Sequence, residues 1–117
     1  MTELFICAGT SQGTWMYLND LIASEPWEKI FVVTTSFGTE HFKPAKQVEF
    51  VVIDEGMLLP EIVASIKRQL DRKLGIDAAV NLISGSGKMH MAVLSALMQL
   101  GISIRLVALT PEGVKEI

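Results

Sequence analysis

Two stretches of strand length, residues 4–8 and residues 29–34 with Ile30, Phe31, Val32 and Val33 at their centre, carry unbroken apolar runs with no polar–apolar alternation. A strand with one wet face alternates, whereas a strand covered on both faces does not, and both-face burial is the habit of parallel sheets. Two further runs at residues 78–83 and 102–109 read the same way, and residues 47–53 make a fifth. Between them lie segments of helical period. Trp15, Leu18, Leu21 and Ile22 share one face of a helix that must stop before Pro26. Leu59, Ile62, Val63, Ile66, Leu70 and Leu74 form an apolar stripe opposite Glu61, Lys67, Arg68, Asp71 and Arg72, with Gly75 as its C′ residue. Residues 89–100 are apolar nearly all round and end at Gly101.

Strand and helix in alternation predict an α/β fold: a Rossmann-like three-layer domain with a mainly parallel five-stranded sheet in the order 3-2-1-4-5. The 117 residues make one such domain. Residues 35–44, with Gly38 and His41, read as an irregular crossover, and residues from Thr110 onward as a tail. In this topology the switch point lies between strands one and four, and ligands bind outside the carboxyl ends of the strands there. Strand one is followed by Gly9-Thr10-Ser11-Gln12-Gly13 and strand four by Ser84-Gly85-Ser86-Gly87-Lys88. Both turns are therefore expected at one crevice. Their glycines let backbone N–H groups approach a ligand, and each feeds a helix N-terminus that favours an anion. Lys88, in the first turn of its helix, opposes the helix dipole unless an anion compensates it. Read as structure alone, the turns are tight connections and Ser84 is a helix N-cap.

Composition narrows the ligand. Ten basic and thirteen acidic residues give a net charge of −3, which argues against a coat on duplex nucleic acid. Gly87-Lys88 resembles the end of a P-loop, but Leu82 stands where that motif needs glycine and Met89 where it needs Ser or Thr. The dinucleotide fingerprint fails as well, since Ser11 replaces its second glycine and His90 stands at the third position after Gly85 and Gly87. No cofactor and no metal is expected; Asp54 and Glu55 lack a partnered His and read as a solvated strand end. Cys7, the one cysteine, reads as a buried reduced thiol, which suits a cytoplasmic protein. Glu3 precedes a short apolar run that leads to Gly9 and Thr10 rather than to a cleavage site, so no secretory leader is expected. Residues 89–109 contain Gln99, Gly101 and Arg105, and read as a buried helix and strand rather than a membrane span. With half of the residues hydrophobic, the chain has more to bury than a small domain needs, and a homodimer is expected.

The segment Asn81-Leu82-Ile83-Ser84-Gly85-Ser86-Gly87-Lys88-Met89 resembles the signature of CARF domains, the CRISPR-associated Rossmann folds, and Gly9-Thr10-Ser11 resembles their other ligand loop. This chain has Ser86-Gly87 where the family commonly has Gly-Thr, which removes a hydroxyl beside the lysine. The resemblance implies a homodimer that binds a cyclic oligoadenylate, commonly cyclic tetra-adenylate, across its two-fold axis in type III CRISPR antiviral signalling. It implies ligand contacts from Gly9, Thr10, Ser11, Gln12, Asn81, Ser84, Gly85, Ser86, Gly87 and Lys88; Asn81 alternatively braces the turns. CARF domains usually drive an effector domain, for which these 117 residues have no room, so the resemblance implies either the sensor part of a longer protein, with a C-terminal effector domain outside this chain, or a free-standing protein. Some are instead metal-independent ring nucleases, in which a ribose 2′-hydroxyl attacks the neighbouring phosphate. By that resemblance Ser11 orients the ribose or phosphate and Lys88 stabilises developing charge. An unrelated Rossmann-like nucleotide-binding protein is the remaining alternative. His90 reads as structural or solvated, and His41 as a residue of a loop on the ligand side that gates the site or contacts a base; Trp15 and Trp27 read as core or dimer contacts, with Trp15 or Tyr17 the candidate for an aromatic near the first turn that stacks on adenine.

Overall fold

The computed structural model describes residues 2–71, 73 and 75–117. Arg72 and Leu74, assigned above to the two faces of the third helix, lie outside the described residues. The strands are β1 (Glu3–Cys7), β2 (Lys29–Thr34), β3 (Glu49–Val52), β4 (Asp77–Asn81), β5 (Ser103–Thr110) and β6 (Gly113–Glu116). The helices are α1 (Trp15–Ser24), α2 (Ser36–His41), α3 (Leu59–Gln69) and α4 (Gly87–Gln99). The six strands form one sheet in the order β3-β2-β1-β4-β5-β6. All pairings are parallel except the last, β5 with β6. The Rossmann-like order 3-2-1-4-5 thus stands, with a sixth, antiparallel strand added at one edge.

The unbroken apolar runs serve two separate cores. Phe5, Cys7, Phe31, Val33, Val51, Ala78 and Val80 point to one side of the sheet, where Ile62, Val63 and Ile66 of α3 and Met89, Ala92, Val93 and Ala96 of α4 cover them. Leu4, Ile6, Ile30, Val32, Ala79 and Val107 point to the other side, against Leu18, Leu21 and Ile22 of α1 and Phe42 beyond α2. Successive side chains alternate between faces, so a strand buried on both must be apolar throughout. In-register pairing places Phe5 beside Phe31, and their rings stack at 4.6 Å and 14°.

Several boundaries differ from the sequence reading. The crossover after β2 contains a helix, α2, capped by Thr35, whose hydroxyl accepts from the Gly38 N–H. Gly38 is required there: a Cβ on it would stand 1.8 Å from Thr34 Oγ1. The stretch read as a tail turns back as β6, with Gly113 at φ +104° supplying the left-handed residue of the turn. Gly75 does not end α3, which closes at Gln69 with Leu70 as its C-cap; the Gly75 N–H instead donates to Glu3 Oε1 at 2.9 Å. Helix α4 buries one face only, leaving Met91 and Met98 mostly exposed; its C-cap is Leu100, and Gly101 follows as the left-handed residue with φ +75°.

At the β3 edge, the Gln69 side chain accepts from Val52 N at 3.0 Å through Oε1 and donates to Val52 O at 2.8 Å through Nε2. One amide therefore satisfies both backbone groups of a residue that has no strand beyond it. Among the described residues, no helix is long and apolar enough to cross a membrane.

Candidate functional site

Because β1, β2 and β4 run parallel and adjacent, their carboxyl ends open at one rim. The turn after β1 and the turn after β4 meet there in backbone contact. A Cβ on Gly9 would lie 2.9 Å from Gly85 Cα and 3.0 Å from Gly85 N. No side chain fits between them, so glycine at position 9 is a condition of the juxtaposition. Gly85 has φ +100°, and a Cβ there would meet Met89 Sδ at 2.9 Å and Cys7 Cβ at 3.1 Å. Both the space and the backbone conformation call for glycine at 85.

One buried hydroxyl fastens the two turns. Ser84 Oγ accepts from Gly9 N at 3.0 Å and from Thr14 Oγ1 at 2.7 Å. Ser84 is 3 % exposed, so these bonds form away from solvent. It does not cap α4. That role falls to Ser86, whose Oγ accepts from Met89 N at 3.1 Å. Behind the second turn, His90 Nε2 donates to the Ser84 carbonyl at 2.7 Å, which makes His90 a structural brace. The residues from Thr10 to Gly13 and from Gly85 to Lys88 are exposed at the rim.

Asn81 lies beneath this surface, 4 % exposed. Its Nδ2 donates to Val107 O at 2.9 Å and to the Tyr17 hydroxyl at 3.2 Å, while its Oδ1 accepts from Ile83 N at 3.1 Å. The Tyr17 hydroxyl also accepts from Leu109 N at 2.9 Å. The Asn81 amide thus holds the start of the second turn against β5. Tyr17 is part of the same bracing, with its hydroxyl committed to the interior. Trp15 stays near the rim, its Nε1 donating to Gly9 O at 3.1 Å.

The loop after β3 reaches the second turn, a contact that sequence reasoning missed. Ser86 Oγ donates to Glu55 Oε2 at 2.5 Å, and Lys88 Nζ donates to the Glu55 carbonyl at 2.8 Å. The signal for it lay in the topology: α3 and α4 share one face of the sheet, so the loops that lead into them run side by side. Asp54 is occupied locally, its Oδ1 accepting from Gly56 N at 2.9 Å. Among the described residues, no three His, Cys, Asp or Glu side chains are grouped as metal ligands. Burial first, and the Glu55 carboxylate second, push the Cys7 thiol up to about 12, so it stays protonated and inert beneath the rim.

The exposed rim thus combines hydroxyls from Thr10, Ser11 and Ser86 with the ammonium of Lys88 and the first amides of α4. Of the first N–H groups of α4, that of Met89 is taken by Ser86 Oγ and that of His90 by the Ser86 carbonyl, which leaves those of Gly87 and Lys88 to meet an anion. The arrangement suits electrostatic holding of a phosphate. Its basic groups are the Glu55 carboxylate and two imidazoles bonded to backbone carbonyls, His41 Nδ1 to Phe37 O at 2.9 Å and His90 as above. No protein-family model matches this chain, and no curated protein matches it either.

Proposed function

We propose that the protein binds a cyclic oligoadenylate, most simply cyclic tetra-adenylate, as a homodimer of the CARF type. The observation that carries this reading is the backbone contact of Gly9 with Gly85, with Ser84 tied between the turns and Lys88 exposed beside them. Two turns singled out by their residue types share one rim, and the rim is open. A ring with two-fold symmetry suits an isologous dimer that presents each turn twice, and two Lys88 side chains offset ring phosphates despite the acidic total. The surface also supports pairing: Met91 and Met98 on α4 are 61 % and 69 % exposed, and Ile83, Leu106 and Ile117 line an apolar hollow beside β5. A reducing, cytoplasmic setting fits the buried, unpaired thiol of Cys7.

Ring cleavage is the second reading, favoured by the exposure of Ser11 on the same rim as Lys88. Holding a 2′-hydroxyl in line with its phosphate requires positioning and a cation more than a strong base. Calorimetry with cyclic tetra-adenylate on the dimeric protein tests the binding. Saturable binding at one ring per dimer, weakened at least tenfold by Lys88→Ala, is the expected result; no heat from a dimeric, folded sample overturns the proposal. Incubation of the ring with protein and a chelator separates receptor from nuclease. Linear products with 2′,3′-cyclic phosphate ends that disappear in Ser11→Ala and Lys88→Ala identify the nuclease, and an intact ring identifies the receptor.

A further inference from the structure

An exposed aromatic stack stands beside the first turn. Phe37 and His41, one helical turn apart on α2, lie ring on ring at 4.2 Å and 22°. Phe37 is 39 % exposed and His41 is exposed. Helix α2 follows β2, the neighbour of β1, so it rises from the same rim as the two turns. The link to the first turn is direct. Trp15 donates from Nε1 to Gly9 O at 3.1 Å, and its ring lies 6.4 Å from that of Phe37. Three rings therefore run outward from the turn: Trp15 against it, then Phe37, then His41.

Apolar rings of this size are usually buried, and Phe42, the next aromatic in the chain, is buried against Trp15 at 5.6 Å. Phe37 and His41 contribute little to that core and leave π-surface in water beside the ring that bonds the first turn. Base–aromatic stacking is tolerant of sequence because every base has a π-face. The histidine adds a preference. Its Nδ1 faces the Phe37 carbonyl at 2.9 Å, and a carbonyl only accepts, so the proton sits on Nδ1. Nε2 of the neutral ring is then an acceptor, suited to an exocyclic amine.

We infer that Phe37 and His41 form a base-stacking subsite for an amine-bearing purine whose phosphate is held at the two turns. This rests on the proposed function for the phosphate end. The aromatic end has its own readout, because the Trp15 ring lies 6.4 Å from that of Phe37 and reports on changes beside it.

The test has two arms. In the first, cyclic tetra-adenylate is titrated into the wild type, Phe37→Leu, His41→Ala and His41→Tyr. Loss of a stacking partner is expected to weaken binding about five- to a hundredfold, with His41→Tyr closer to the wild type than His41→Ala. Equal affinity across the set, with folding verified by circular dichroism, overturns the subsite and leaves the proposed function standing. In the second arm, Trp15 fluorescence is followed in Trp27→Phe protein on addition of AMP or ribose 5-phosphate. Quenching by AMP alone, lost in His41→Ala, supports the subsite; equal responses to the two probes, or none, overturn it. If the cyclic ring does not bind the wild type at all, the proposed function fails and the AMP arm still decides the subsite.

Discussion

Ser84→Ala is the sharpest test of how the two turns are joined. The substitution keeps Cβ and removes only Oγ, which accepts from Gly9 N at 3.0 Å and Thr14 Oγ1 at 2.7 Å. A neutral hydrogen bond contributes about 1 kcal/mol net, and an N–H left without a partner in a partly buried site costs roughly 1–3 kcal/mol. Ser84 is 3 % exposed, so water has little room to replace the lost oxygen. The Thr14 hydroxyl is better off, because the Ser11 carbonyl also lies within its reach at 3.4 Å. The Gly9 N–H has no such second partner, and it dominates the loss. The expected destabilisation is about 2 kcal/mol, a fall in Tm of about 8 °C at roughly 4 °C per kcal/mol for a domain of this size. Urea unfolding followed by circular dichroism should show the midpoint falling by about 1 M with an unchanged slope. Thr14→Val removes one bond only and should cost about 1 kcal/mol. In the double variant the two losses should fall short of their sum by several tenths of a kcal/mol, since both bonds end on one atom. A Ser84→Ala protein within 0.5 kcal/mol of the wild type would refute the shared-hydroxyl account of the junction.

Three further outcomes are expected. Gly38→Ala forces a Cβ to within 1.8 Å of Thr34 Oγ1, which itself donates to Ala8 O at 2.7 Å, so calorimetry should show a loss of at least about 2 kcal/mol, against the roughly 1 kcal/mol gained when Ala replaces Gly in an open helix. The Cys7 thiol is raised from 9.0 to about 12, so its contribution to stability is complete below pH 9 and is lost as pH rises towards 12. Unfolding midpoints measured between pH 8 and 11 should therefore fall with a slope of at most about 1.4 kcal/mol per pH unit from this group, and Cys7→Ala should flatten that slope. Glu55→Gln keeps an acceptor for Ser86 and leaves the carbonyl that holds Lys88, but removes a negative charge from the rim. Cyclic tetra-adenylate should bind it several-fold more tightly, and an affinity equal to that of the wild type would place Glu55 outside the binding field.

The parts of the fold legible in the sequence were those governed by burial on two faces. Residues 4–8 and 30–33 are apolar at every position because one half of each strand faces α3 and α4 and the other half faces α1. Helix α2 escaped notice because Ser36-Phe37-Gly38-Thr39-Glu40-His41 is under two turns long and carries a central glycine. That glycine is there for Thr34, not as a helix breaker. Strand β6 is four residues long and half exposed, too short for periodicity to register. At the site, glycine and serine marked both turns, and the strand order brought them together. The division of labour between the two serines was not legible. Ser84 and Ser86 are equally good caps by residue type, and only the approach of Gly9 assigns one to the junction and the other to the helix. Glu55 was invisible for a similar reason, since its partner lies 31 positions away and is reached only when α3 and α4 pack together.

The Gln69 amide on Val52 has a bearing on assembly. A sheet border with a free donor and acceptor invites a foreign strand to zip onto it, and side-chain occupation of that rung blunts the invitation. Lengthening of the sheet across this border is discouraged at that rung from within the molecule, and the proposed homodimer would leave the border uninvolved if it packed on the methionine-bearing flank.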